Sequence, residues 1–224
     1  MSPLWILFIA VAIVSTIIQA RLNGKFEEYS HIPTNGGMTG AEVAQKMLRD
    51  HGITGVKVTC IQGTLTDHYD PRTNTVNLSE AVFGKRSIAA AAVAAHECGH
   101  VIQHAQAYGP LQLRSTLVPV VSFSSKLAPW LIFGGILFIH LTPALLWLGI
   151  ILFAASTLFS VVTLPVEIDA SRRAIAWLGN TGITDAETAP MAKDALKWAA
   201  YTYVIAAVSS IATLLYYIGL ARRN

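Results

Sequence analysis

The chain has 224 residues, 53% of them hydrophobic and 13% charged, with a formal net charge of +3. That is too apolar for an ordinary soluble domain, and a basic excess this small gives no support to nucleic-acid binding. No Lys, Arg, Asp or Glu lies between Met1 and Arg21, between Lys126 and Glu167, or between Lys197 and Arg222. Those three gaps read as membrane.

The first gap predicts one span over residues 3–20. No basic residue precedes its apolar run and Ile18-Gln19-Ala20 is a poor cleavage site, so residues 1–20 are expected to stay as an anchor rather than leave as a signal peptide. Residues 21–115 read as a small α+β domain. Thr39 and Glu42 form a capping-box pattern opening a helix that ends near Gly52, with Val43, Met47 and Leu48 facing a core. Val56, Val58 and Cys60 alternate with polar residues as in a strand. Residues 65–69 and 74–78 flank the turn sequence Asp70-Pro71-Arg72-Thr73 and predict a hairpin. Its returning strand, 74–78, is either an edge that pairs with an extended substrate or a purely structural element. Ser87 caps the next helix, which is expected to run through an alanine-rich stretch to Gly109-Pro110.

Residues 116–165 predict a two-helix membrane hairpin, with spans over 127–141 and 144–164 joined at Thr142-Pro143. Residues 166–197 follow as polar helices and 198–224 as a final span and C-terminus. The expected fold is a mainly α integral membrane protein with about four transmembrane helices. Arg21, Lys25, Arg114, Lys126, Arg172, Arg173, Lys193 and Lys197 flank the spans on the side of the polar segments, and only Arg222 and Arg223 lie on the other. The polar side is therefore expected to be cytoplasmic. Cys60 and Cys98 demand no oxidising compartment and are expected to be reduced.

The alanine-rich helix carries His96-Glu97-Cys98-Gly99-His100. Two imidazoles four residues apart project from one helix face and can share a tetrahedral zinc. A carboxylate at Glu97 can then take a proton from the attacking water and pass it to a leaving amine. The expected catalytic residue is Glu97, with His96 and His100 as ligands of one Zn2+ per chain. A third ligand is needed. Gln103 and Gln106 stand where HExxHxxGxxH requires Gly and His, which excludes that class. His104, two turns from His96, is a weaker candidate because it lies far along the helix. Downstream, Glu167 and Asp169 emerge at the end of an apolar run, where a carboxylate is costly unless paired. Glu167 is the preferred ligand and Asp169 the acceptor for a ligand histidine's free N–H. The reverse assignment stays open, as does pairing of both acids with Arg172 and Arg173.

The stretch from His96 to His104, together with Pro165-Val166-Glu167-Ile168-Asp169-Ala170-Ser171-Arg172-Arg173-Ala174, Asp70-Pro71-Arg72 and Asn77-Leu78-Ser79, resembles the bacterial YugP-type neutral zinc metallopeptidases of the membrane. More distantly the chain is similar to HtpX-like gluzincin proteases, whose third ligand is a Glu beginning an E-x-x-A-D pattern. On that pattern Glu167 and Ala170 match, and Ser171 replaces the aspartate. The resemblance implies a zincin-like domain, a protein or peptide substrate associated with the membrane, and residence in the bacterial plasma membrane. Two other readings compete. A site-2-type intramembrane protease would need HExxH inside a span and an LDG-like motif, but Lys85 and Arg86 precede this helix and no LDG occurs. A membrane adaptor with structural zinc would use four Cys or His ligands and leave Glu97 without a role.

Overall fold

A computed structural model describes residues 3–222, so Arg223 of the orientation argument lies outside the described residues. Helix α1 spans Pro3–Ser30, α2 Gly40–Asp50, α3 Glu80–Phe83, α4 Ile88–Ala105, α5 Gly109–Leu137, α6 Pro143–Asn180 and α7 Ala189–Arg222. The strands are β1 Lys57–Ile61, β2 His68–Asp70 and β3 Thr75–Ser79. Among the described residues four helices, α1, α5, α6 and α7, are long and apolar enough to cross a membrane. The protein is thus a mainly α membrane protein carrying a small three-stranded sheet. Its chain divides into two compact units.

The apolar unit takes the chain up to Ile17, Gly109–Leu164, and everything from Thr202 onward. Its helices pack by close backbone approach, as expected where lipid removes any hydrophobic drive between them. A methyl group at Gly135 would stand 2.5 Å from the Leu146 backbone, and one at Gly149 2.9 Å from the amide nitrogen of Ile132. Around these contacts Ile132, Leu146 and Ile150 form a small core. Thr157 and Ser210 join α6 to α7 through a 2.8 Å hydroxyl–hydroxyl hydrogen bond.

Several helix boundaries differ from expectation. The second span ends at Leu137 instead of 141, because Thr142-Pro143 forces a turn and places proline in the first turn of α6, where its missing N–H costs nothing. It also starts at Gly109, so α4 stops earlier, at Ala105, with Ala107 in the left-handed region at φ 51°. Beyond Leu164 the chain does not restart after Pro165. Helix α6 continues through that proline to Asn180, so the third span and the segment bearing Glu167 are one element.

The polar unit comprises Ile18–Tyr108 and Pro165–Tyr201. Thr39 and Glu42 cap α2 reciprocally, the Thr39 amide donating to Glu42 Oε2 at 2.7 Å and the Glu42 amide to Thr39 Oγ1 at 3.2 Å. The sheet order is β1-β3-β2, with β3 antiparallel to β2 and parallel to β1. The returning strand β3 is therefore central and is not the edge considered from the sequence; β1 and β2 are the edges. Its burial explains this, since Val76, Leu78 and Ser79 are fully enclosed and Thr75 nearly so, the pattern of a strand covered on both faces. The core joins Val43, Met47, Val76, Leu78 and Ile88 to the small side chains of α4, which Ser87 opens by accepting from the Ala90 amide at 3.3 Å.

Candidate metal centre

Two helices build the centre. Along α4 the alanines at 89–92, 94 and 95 are buried, and their small side chains leave room for a neighbouring helix to lie close. A close approach comes at Gly99, where a methyl group would stand 2.7 Å from the carbonyl oxygen of Ala170 on α6. Only glycine allows that contact, and it lies within the turn that carries His96 and His100. Glu167, one turn before Ala170, is thereby brought onto the histidine pair.

The resulting geometry is compact. His96 Nε2 lies 3.2 Å from Glu167 Oε2 and His100 Nε2 3.5 Å from the same oxygen, and all three donor atoms fall within 4.8 Å of one another. Ligands about 2.05 Å from a tetrahedral zinc stand roughly 3.3 Å apart, so both distances to Glu167 match edges of such a tetrahedron. Glu167 is 3% exposed and His100 9%. Burial alone would depress the basicity of His100, yet the carboxylate beside it more than offsets this and holds the ring above the usual histidine pKa. Two imidazole nitrogens and one carboxylate oxygen form the donor set of a three-ligand zinc site with an open fourth position, so the residues fit the metal.

Each histidine is also fixed from behind. His100 Nδ1 lies 3.1 Å from Gln103 Oε1, while Gln103 Nε2 donates to the Val166 carbonyl at 2.8 Å and to Asp169 Oδ2 at 2.9 Å. Because both of those partners are acceptors, the amide cannot be flipped. Its oxygen must therefore accept from His100 Nδ1–H, so that in the neutral ring Nε2 is the nitrogen whose lone pair is available to a metal. His96 Nδ1 is held 3.1 Å from Ser171 Oγ.

Asp169 does not hold a histidine directly. It accepts from Gln103, from Arg172 at 2.6 Å and from Arg173 at 2.5 Å, so the acceptor role expected of it falls to Gln103 for His100, while the hydroxyl of Ser171 is the hydrogen-bond partner of His96. The surface pairing with arginine considered for both acids holds for Asp169, whereas Glu167 turns to the histidines. Arg172 touches the centre only through Asp169, and Arg173 also donates to Gln106 at 2.7 Å. His104 stands apart in an edge-to-face contact with Tyr69, ring centroids 5.9 Å apart, and is not in the donor group. Glu97 is buried on α4 between the two histidines. Cys98 is fully buried, its thiol pushed to a higher pKa by that burial, and is inert packing. Sequence reasoning missed Gln103 and Ser171. Gln103 was legible in principle, since a residue three positions after His100 shares its helix face.

A family model described as "Putative neutral zinc metallopeptidase" matches residues 4–222. The chain is similar to a Bacillus subtilis (strain 168) protein named "Putative membrane protease YugP", at 43% identity over 212 residues, 95% of this chain and 93% of that one. No solved structure matches. Matched along nearly its whole length, the chain belongs to the neutral zinc metallopeptidase family, with zinc as its metal.

Proposed function

We propose that this protein is a zinc-dependent endopeptidase of the gluzincin kind, working at the cytoplasmic surface of the membrane on membrane-associated proteins or peptides. In this reading His96, His100 and Glu167 hold the metal and Glu97 is the catalytic residue. Bound zinc would supply Lewis-acid polarisation of the scissile carbonyl and acidify the attacking water. Glu97 takes that water's proton and delivers it to the leaving amine, work that needs a carboxylate beside the metal and not on it. Gln103 and Ser171 keep the two rings turned with Nε2 inward. The unpaired edge of β2, whose Tyr69 lies against α4, is the place where an extended peptide would add as a strand. Residues 21–115 and 166–197 form the catalytic part, and 1–20, 116–165 and 198–224 the membrane part.

The observation that carries the reading is the trio of donor atoms within 4.8 Å of one another, with a buried glutamate on the same helix turn. Its test is Glu97→Gln in the detergent-purified full chain. The variant should keep its zinc and lose on the order of a hundredfold or more in hydrolysis of a generic protein substrate, because an amide cannot accept the proton. Cleavage at the wild-type rate would remove Glu97 from the mechanism.

A further inference from the structure

Within the polar unit, α6 and α7 enclose an open groove of about 440 Å3 that the metal chemistry does not use. Three cations border it, Arg172 from α6 and Lys193 and Lys197 from α7, and no carboxylate lines it. Lys193 and Lys197, four residues apart, share one face of α7. Arg172 gives one nitrogen to Asp169, yet its side chain is 77% exposed, so its other donors face outward. Ile168, Ile175 and Leu196 line the same groove with apolar surface. Such a groove suits an amphiphile with an acidic head, hydrocarbon lying on that surface and phosphate oxygens among the cations.

Its position along the chain identifies the amphiphile. Ile168 comes four residues after Leu164, where the charge-free run of α6 closes, and Ala200 lies inside the charge-free run that starts at Trp198 on α7. Ile168 and Ala200 thus place one end of the groove at the end of the apolar stretches, the level at which lipid headgroups sit. An acidic peptide or a free anion would need the cations and not a wall of isoleucine and leucine that leads toward the apolar runs. We propose that this groove binds the headgroup of an anionic phospholipid. Ser171 lines the groove and also touches His96, so the bound lipid lies one side chain from the metal centre.

Native mass spectrometry of the full chain in neutral detergent tests this, titrating phosphatidylglycerol against phosphatidylcholine. Wild type should take up phosphatidylglycerol at lower concentration. Lys193→Gln with Lys197→Gln should weaken that uptake roughly thirtyfold, about fivefold per lysine, and leave phosphatidylcholine unchanged. Lys193→Arg with Lys197→Arg should retain it. Should the double glutamine variant fail to purify with wild-type zinc content, Lys197→Gln alone should still show about a fivefold loss. Equal uptake of the two lipids by wild type, or undiminished phosphatidylglycerol uptake by the glutamine variants, would overturn the proposal. So would displacement of the lipid by millimolar inorganic phosphate or by an equimolar acidic peptide. The readout is independent of hydrolysis, so an inactive protein would leave it intact.

Discussion

Replacing Gln103 by leucine isolates the support behind His100. The side chain is fully buried, and leucine of similar volume opens no large cavity, so the change is one of hydrogen bonds. Three are lost, at 3.1, 2.8 and 2.9 Å. At about 1 kcal/mol each, the fold should lose about 3 kcal/mol. Most of that loss does not touch the metal. The bonds to Val166 and Asp169 exist with or without zinc, and Asp169 keeps both arginines, so their contribution cancels from the binding equilibrium. Only the bond to His100 Nδ1 sets which nitrogen is free and where the ring points. Its loss leaves a buried donor unpaired at about 1.4–2.7 kcal/mol, and zinc affinity should fall about ten- to a hundredfold. Competition between the purified variant and a chromogenic chelator measures this directly, and thermal melting measures the rest. A variant that melts lower but binds zinc as tightly as wild type would make Gln103 a structural residue and refute the argument from amide orientation.

The two acids should separate cleanly: Glu167→Ala should release zinc under mild chelation as His96→Ala should, whereas Asp169→Asn, which can turn an NH2 toward Gln103 and so loosen the amide that orients His100, should keep a measurable site about tenfold weaker. A metal-free Asp169→Asn beside a loaded Glu167→Ala would reverse the assignment. Gly99→Ala should lower the melting temperature and the zinc content together, because a methyl 2.7 Å from the Ala170 carbonyl must push α4 from α6, at about 1–3 kcal/mol; unchanged zinc binding would show that the approach is looser than this contact requires. Cys60 is exposed and Cys98 buried, so an impermeant thiol reagent reports on the polar side through Cys60 alone. Intact cells should stay unlabelled until permeabilised, with Cys60→Ser as the blank, and labelling of intact cells would put the polar side outside.

What could be read from the sequence was local. His96, Glu97 and His100 announce themselves because helical spacing fixes their common face without any tertiary information, and the caps at Thr39 and Ser87 act within three residues. The charge-free gaps show the four apolar helices for the same reason. Glu167 could be singled out because a carboxylate at the end of an apolar run needs a partner, although nothing local says how near α4 comes. The sheet was less legible, since β1 joins β3 in parallel across an intervening hairpin and only burial reveals β3 as the central strand. Helix α6 was read as two elements because proline usually marks a boundary, but a proline deletes one hydrogen bond, and a helix of 38 residues tolerates that loss.

The misplaced acceptor follows from the same distinction. A pattern that expects aspartate at position 171 treats the carboxylate as the group that must face a ligand histidine. What the ring nitrogen requires is an oxygen at hydrogen-bond distance, and Ser171 supplies one to His96. The carboxylate then appears one level further out. Asp169, steadied by Arg172 and Arg173, fixes the amide of Gln103, and that amide fixes His100. Such a relay keeps negative charge off the second histidine's back while still deciding its tautomer, since an amide held by two acceptors can present only its oxygen. It also ties the ligand's orientation to α6, the helix that brings Glu167. Any displacement of α6 relative to α4 therefore disturbs all three donors at once, and the Gly99–Ala170 contact is the point that sets their spacing.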